Sequence, residues 1–157
     1  MQKQEVTGFG MTSDGKQARL YTLENKNGMK VCVSDFGAVL VNLFVPARDG
    51  NMLDVVLGYG DAEGYEKGDA AFGAVVGRNA NRIGGACFDL NGVHYELAKN
   101  DNGKNSLHSG PDYYHKRLWE VKEYGADHIS LLLHSPDGDQ GYPGALDMCV
   151  TYTLDDD

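Results

Sequence analysis

The chain has 157 residues, room for one domain, and its 41% apolar and 24% charged residues are a soluble globular composition, not a disordered one. Twenty-three acidic against 14 basic residues leave a net charge of −9, which argues against nucleic acid and anionic membrane as partners, since both need a basic footprint. No stretch approaches the ~20 apolar residues of a membrane helix, and Met1–Glu5 lacks the apolar core of a secretory signal.

Glycine is frequent, 21 of 157, and much of it follows Asn or Asp: Asp14-Gly15, Asn27-Gly28, Asp49-Gly50, Asn91-Gly92, Asn102-Gly103 and Asp137-Gly138. Such pairs accept positive φ at the centre of tight hairpin turns. Between them the apolar residues alternate. Ala18–Leu23 leads through Asn27-Gly28 into Met29–Val33. Asp54–Leu57 is strand-like. Ala86–Leu90, Asn91-Gly92 and Val93–Leu97 form the clearest hairpin, with Ala86, Phe88 and Leu90 on one face. Arg117–Lys122 turns at Tyr124–Asp127 into His128–Leu133, and Leu146, Met148, Val150, Tyr152 and Leu154 share one face of a last strand. No run at i, i+3, i+4, i+7 supports a three-turn helix; the nearest candidate, Asp61–Lys67, is broken by Gly64. The fold class expected is all-β, a sandwich or barrel of hairpin-joined antiparallel strands. The chain stops one turn after a well-formed strand, short of the 200–250 residues common in sandwich domains, so a truncated domain is expected. Cys32, Cys87 and Cys149, odd in number and set in apolar runs, read as buried reduced thiols of a cytoplasmic protein.

Three segments are too polar and glycine-rich for their surroundings. Gly73–Gly85 carries Arg78, Asn79, Asn81 and Arg82, a set of donors and acceptors suited to a polyol or a carboxylate, or equally to the loop's own carbonyls. Asn100–Gly110 carries His108 in a polar loop, where a histidine can hydrogen-bond a sugar hydroxyl or move a proton. His94, His115, His128 and His134 read as surface histidines. Ser135–Gly144 pairs Asp137 with Asp139, but a calcium loop counted from Asp137 would need glycine where Tyr142 stands, so a rigid connection is the better reading. Gly58–Gly64 has one residue too many for a dinucleotide fingerprint. The His-Glu-x-x-His, Cys-x-x-Cys and Gly-x-Ser-x-Gly motifs are absent.

Taken together, Asp54–Tyr59, Phe72–Ile83 with its Gly-Arg-x-Ala-Asn-Arg-Ile core, Asn105–His108, and Ser135–Gly144 with its Ser-Pro-Asp-Gly and Gly-Tyr-Pro-Gly ends resemble the aldose 1-epimerase (galactose mutarotase) family, from about Gly8 to Leu154. The resemblance implies an antiparallel β-sandwich whose open cleft binds an aldohexose and interconverts its α and β anomers without metal or organic cofactor. By that resemblance Asn81, Arg82 and His108 bind substrate, Arg78 is a possible supporting residue that braces its loop, and Asp137–Gly144 is scaffold. The family's general acid histidine, a sugar-binding aspartate and the general base glutamate match no position in this chain, so no catalytic acid or base is expected within it. The expected domain organisation is one partial sandwich over residues 1–157. Its expected partners are an aldohexose and either the missing C-terminal half or a second copy paired through open strand edges. A non-catalytic sugar-binding module and a hexose-6-phosphate 1-epimerase, helped by Lys104 and Lys116, are the alternatives.

Overall fold

The computed structural model describes residues 3–156. The first five strands, β1 (Lys3–Met11), β2 (Gln17–Glu24), β3 (Lys30–Ser34), β4 (Leu40–Pro46) and β5 (Met52–Asp54), form one antiparallel sheet in chain order. Gly15, Gly28 and Gly50 sit at positive φ in the turns that join them, the conformation their Asx-Gly pairs foretold. A short helix, α1 (Ala62–Lys67), follows. The next four strands are β6 (Arg82–Ile83), β7 (Cys87–Leu90), β8 (Val93–Glu96) and β9 (Ser106–Leu107); β6 pairs with β9, and β7 with β8. The last three, β10 (Glu120–Tyr124), β11 (His128–Ser135) and β12 (Leu146–Thr153), make a second antiparallel sheet.

Alternation in the strands builds two core layers. On one face of the first sheet, Tyr21, Leu23, Val31 and Val33 pack against Ile129, Leu131 and Leu133 of β11, with Trp119 and Tyr114 filling the layer. Each such side chain, fully buried, contributes roughly 1.5–3 kcal/mol. On the opposite face, Cys32 joins Phe9, Ala18 and Val41 beneath Ala62 and Tyr65, around α1. β3 is therefore buried on both faces, as a central strand must be. The Tyr124 hydroxyl donates to the Thr22 carbonyl at 2.6 Å and that of Tyr152 to Ala38 at 2.8 Å, tying the second sheet to the first. The architecture is an antiparallel β-sandwich.

Several expectations need correction. Gly64 does not break Asp61–Lys67: the Asp61 side chain caps the turn by accepting the Gly64 N–H at 2.8 Å. Gly64 is required there because a Cβ would sit 2.8 Å from that of Tyr59. The strand read at Asp54–Leu57 ends at Asp54; Val55 and Leu57 lie exposed beyond it. Cys32 is buried, Cys87 is half-buried and Cys149 is exposed on the outer face of β12, so the thiols do not share one environment. No helix among the described residues is long and apolar enough to cross a membrane.

Candidate active site

The three polar segments meet at one end of the sandwich. Arg78 is the knot between the first and the third. Its Nε donates to Ser135 Oγ at 3.1 Å and Tyr114 Oη at 3.3 Å, Nη1 to the Pro143 carbonyl at 3.0 Å, and Nη2 to Ser135 Oγ at 2.8 Å and the Pro136 carbonyl at 2.9 Å. Every nitrogen of that guanidinium is committed to the protein. Arg117 secures the same loop from behind, gripping both oxygens of Asp139 at 2.7 and 2.9 Å; this ion pair pulls the Asp139 carboxyl down to about 2. Ser109 links the second segment to the other two: its Oγ accepts the Asn79 N–H at 2.8 Å and donates to Tyr142 Oη at 3.0 Å. Tyr142 is buried and stacks on Phe88.

The two-residue ribbon β6–β9 sets Arg82 opposite Leu107. One step beyond it, Asn81 and His108 exchange two bonds. The His108 N–H donates to the Asn81 carbonyl at 2.8 Å, and the Asn81 N–H donates to His108 Nδ1 at 2.9 Å. The second bond fixes the imidazole: Nδ1 must be the lone-pair nitrogen, so the neutral ring carries its proton on Nε2. Asn81, His108 and Ser109 hold φ of 60°, 51° and 53°, left-handed backbone that non-glycine residues seldom adopt and that clusters at functional sites.

Arg82 is oriented by Asp101, whose carboxylate accepts from Nε at 2.9 Å and Nη2 at 3.3 Å; Nη1 donates to the Asn81 side-chain oxygen at 3.1 Å. Asp101 is nearly buried, at 10% side-chain exposure, while Arg82 remains 51% exposed. The Arg82 guanidinium, aided by the Asn105 amide, holds the Asp101 carboxyl below the usual carboxylate range, and Asp101 in turn raises Arg82. Of the five guanidinium N–H groups, two remain free, and the Asn81 amide nitrogen and His108 Nε2 bond to nothing among the described residues. The site thus presents a rigid set of neutral and cationic donors.

His108 opens on a cleft of about 230 Å³ lined also by Gly68, Asp69, Leu107, Tyr113, His115 and Lys116. His115 is not the surface histidine its sequence context implied: it is half-buried in this wall. Burial, then the charge of Lys116, lowers its imidazole to about 4. The Lys116 ammonium is occupied by the Glu66 and Gly68 carbonyls at 2.7 and 3.2 Å. Asp101, Ser109, Tyr113 and His115 escaped the reading of the sequence. Asp101 and Ser109 lay inside a segment singled out for polarity, but no local pattern says which arginine or tyrosine they reach. Among the described residues, no three His, Cys, Asp or Glu side chains gather to hold a metal ion.

Residues 19–157 match the sequence pattern of the family described as aldose 1-epimerase. An aldose 1-epimerase of Haemophilus influenzae is 44% identical over 153 residues, covering 98% of this chain and 44% of that protein. A galactose mutarotase of Bos taurus is 44% identical over 127 residues, covering 81% and 36%. The crystal structure of a galactose 1-epimerase from Lactobacillus acidophilus superimposes with a TM-score of 0.82 at 28% identity, covering 99% of this chain and 46% of that one. The chain spans less than half the length of these relatives. From its fold, its three converging segments and these likenesses, the chain belongs to the aldose 1-epimerase family.

Proposed function

We propose that residues 1–157 are the N-terminal, sugar-binding portion of an aldose 1-epimerase, and that Asn81, Arg82 and His108 hold an aldohexose such as galactose or glucose. One observation carries this reading. The Asn81 N–H occupies His108 Nδ1, so Nε2–H is left as a donor, and Arg82, bonded through Nη1 to the side chain of that same Asn81, keeps N–H groups free. A pyranose offers oxygens to such donors at each carbon. Anomer interconversion takes a proton from the anomeric hydroxyl and delivers one to the ring oxygen. The ring opens, turns about C1–C2 and recloses, a task for a general acid and base acting on a sugar held still. Arg78 is spoken for by the 135–143 loop and serves as a brace. The acid and base that complete the reaction come, in this reading, from sequence outside these residues, supplied by the rest of the sandwich. Its natural place of contact is the open edge of β12, which among the described residues has a strand partner on one side only; a second copy could pair there instead. Three free thiols suit the reducing cytoplasm.

A hexose 6-phosphate is a poorer fit. The ammonium of Lys116, the cation lining the His108 cleft, is already bound by two backbone carbonyls. The test is the decay of optical rotation of fresh α-D-galactose. The 157-residue chain alone should leave the buffer rate unchanged. A chimera carrying this chain in place of the matching portion of the Haemophilus influenzae enzyme should accelerate it, and lose the acceleration when Arg82 or His108 is replaced. A chimera that binds galactose without turnover would favour the binding-module reading, and an active isolated chain would contradict the proposal.

A further inference from the structure

Buried polar groups in folded proteins are hydrogen-bonded, and an exception asks for an explanation. His115 is such an exception. Its Nδ1 is sealed from solvent and has no partner among the described residues, so of the two ring nitrogens only Nε2 is left to meet a ligand in the cleft that His115 lines. The ring is not loose. It stacks on Tyr113 with centroids 4.9 Å apart and an interplanar angle of 24°. Its backbone lies in a single 3-10 turn, Tyr114–Lys116, pressed so closely on Gly37 that a Cβ there would fall 2.3 Å from the His115 carbonyl oxygen. Tyr113, the other half of the stack, is itself fixed where its hydroxyl accepts the Asn100 amide at 2.9 Å. A pinned imidazole with no protein partner thus shares the His108 cleft.

We infer that His115 is a substrate-contacting residue of the same cleft, donating Nε2–H to a hydroxyl of the bound sugar across from His108. The inference rests on the sugar-binding reading of Arg82 and His108. An N–H at the sealed Nδ1 would leave a donor unmet in the interior, so the proton sits on Nε2. The charged side chains that line the cleft with it, Lys116 and Asp69, do not bond the ring. Together with burial, Lys116 keeps the ring neutral at physiological pH. Two neutral imidazole donors in one cleft recognise uncharged hydroxyls and gain nothing from an anionic substituent.

The test is an NMR titration of the histidine ring signals of the 157-residue chain with D-galactose, repeated on His115→Phe and His115→Gln. Phe keeps the stack on Tyr113 and removes both nitrogens; Gln restores a donor near Nε2. The inference expects the rings of His108 and His115 to shift with one common dissociation constant. It also expects Phe to weaken binding about tenfold, the loss of one hydrogen bond, and Gln to recover part of it. If galactose moves His108 while His115 stays still in the unsubstituted chain, the inference is overturned and the sugar site stands. If His108 does not move at all, the sugar reading of the site fails and takes the inference with it. The His115 signal of the unsubstituted chain decides the matter even where a variant does not fold.

Discussion

Arg78 and Arg82 stand four residues apart in one polar stretch, and their surroundings give them opposite work. Arg78 commits all three guanidinium nitrogens to Ser135, Pro136, Pro143 and Tyr114. Arg82 leans on Asp101 with one edge and leaves the other to solvent. Residue type and spacing cannot tell a brace from the ligand-holder proposed at Arg82. The count of donors still free after the protein has taken its share can.

The contrast is broken most severely at Arg78. Arg78→Ala removes the guanidinium donors from the Ser135, Pro136 and Pro143 carbonyls and from the buried Ser135 hydroxyl, and should cost about 3–4 kcal/mol, lowering the melting temperature by roughly 10 °C. Calorimetry checks it; a loss under about 1 kcal/mol would return Arg78 to the ligand-holding class. Arg82→Ala should do the reverse. Its ion pair is half open to water and Asp101 keeps the Asn105 amide, so the loss to folding should be about 1 kcal/mol, whereas galactose affinity should fall at least about tenfold by equilibrium titration. Equal effects of the two substitutions on stability would erase the distinction.

A smaller effect sharpens the picture around His115. Its folded-state value of about 4 lies below the ordinary 6.5, so the unfolded chain binds the extra proton in that interval. Stability from the neutral ring is therefore complete above pH 6.5 and declines as pH falls toward 4. His128 runs the other way: Asp127, then Glu123, raise it, so its contribution is present below 6.5 and is lost as pH rises through the folded value. Comparing melting curves of the chain and His115→Phe between pH 4 and 6.5 isolates the first term. The stability of the unsubstituted chain relative to His115→Phe should fall steadily as pH falls from 6.5 toward 4.

Much of the frame was legible in advance because it is written in local rules. The Asn91-Gly92 hairpin, the alternation of β12 and the absence of long helices follow from period and turn chemistry. Several strands were not legible, β1 and β4 the longest of them. β1 carries Gly8 and Gly10 and slips register between Gly8 and Met11, so its alternation is spoiled. β4 is apolar along most of its length and has no clear two-residue period. The site divides the same way. Asn81, Arg82 and His108 stood out through composition and family likeness. The Asp101 carboxylate behind Arg82 and the His115 ring in the cleft depend on chain segments brought together by folding. Asp101 reaches back 19 residues to its arginine, a distance no local pattern encodes.

The most direct measurement is a crystal structure of this chain grown with D-galactose. The account predicts a pyranose with oxygens within hydrogen-bond distance of the Arg82 guanidinium and of His108 Nε2, with Arg78 still bound to its loop. Galactose seated instead in the apolar cleft of about 450 Å³ between Phe88, Leu90 and Pro143, with Arg82 and His108 untouched, would contradict it.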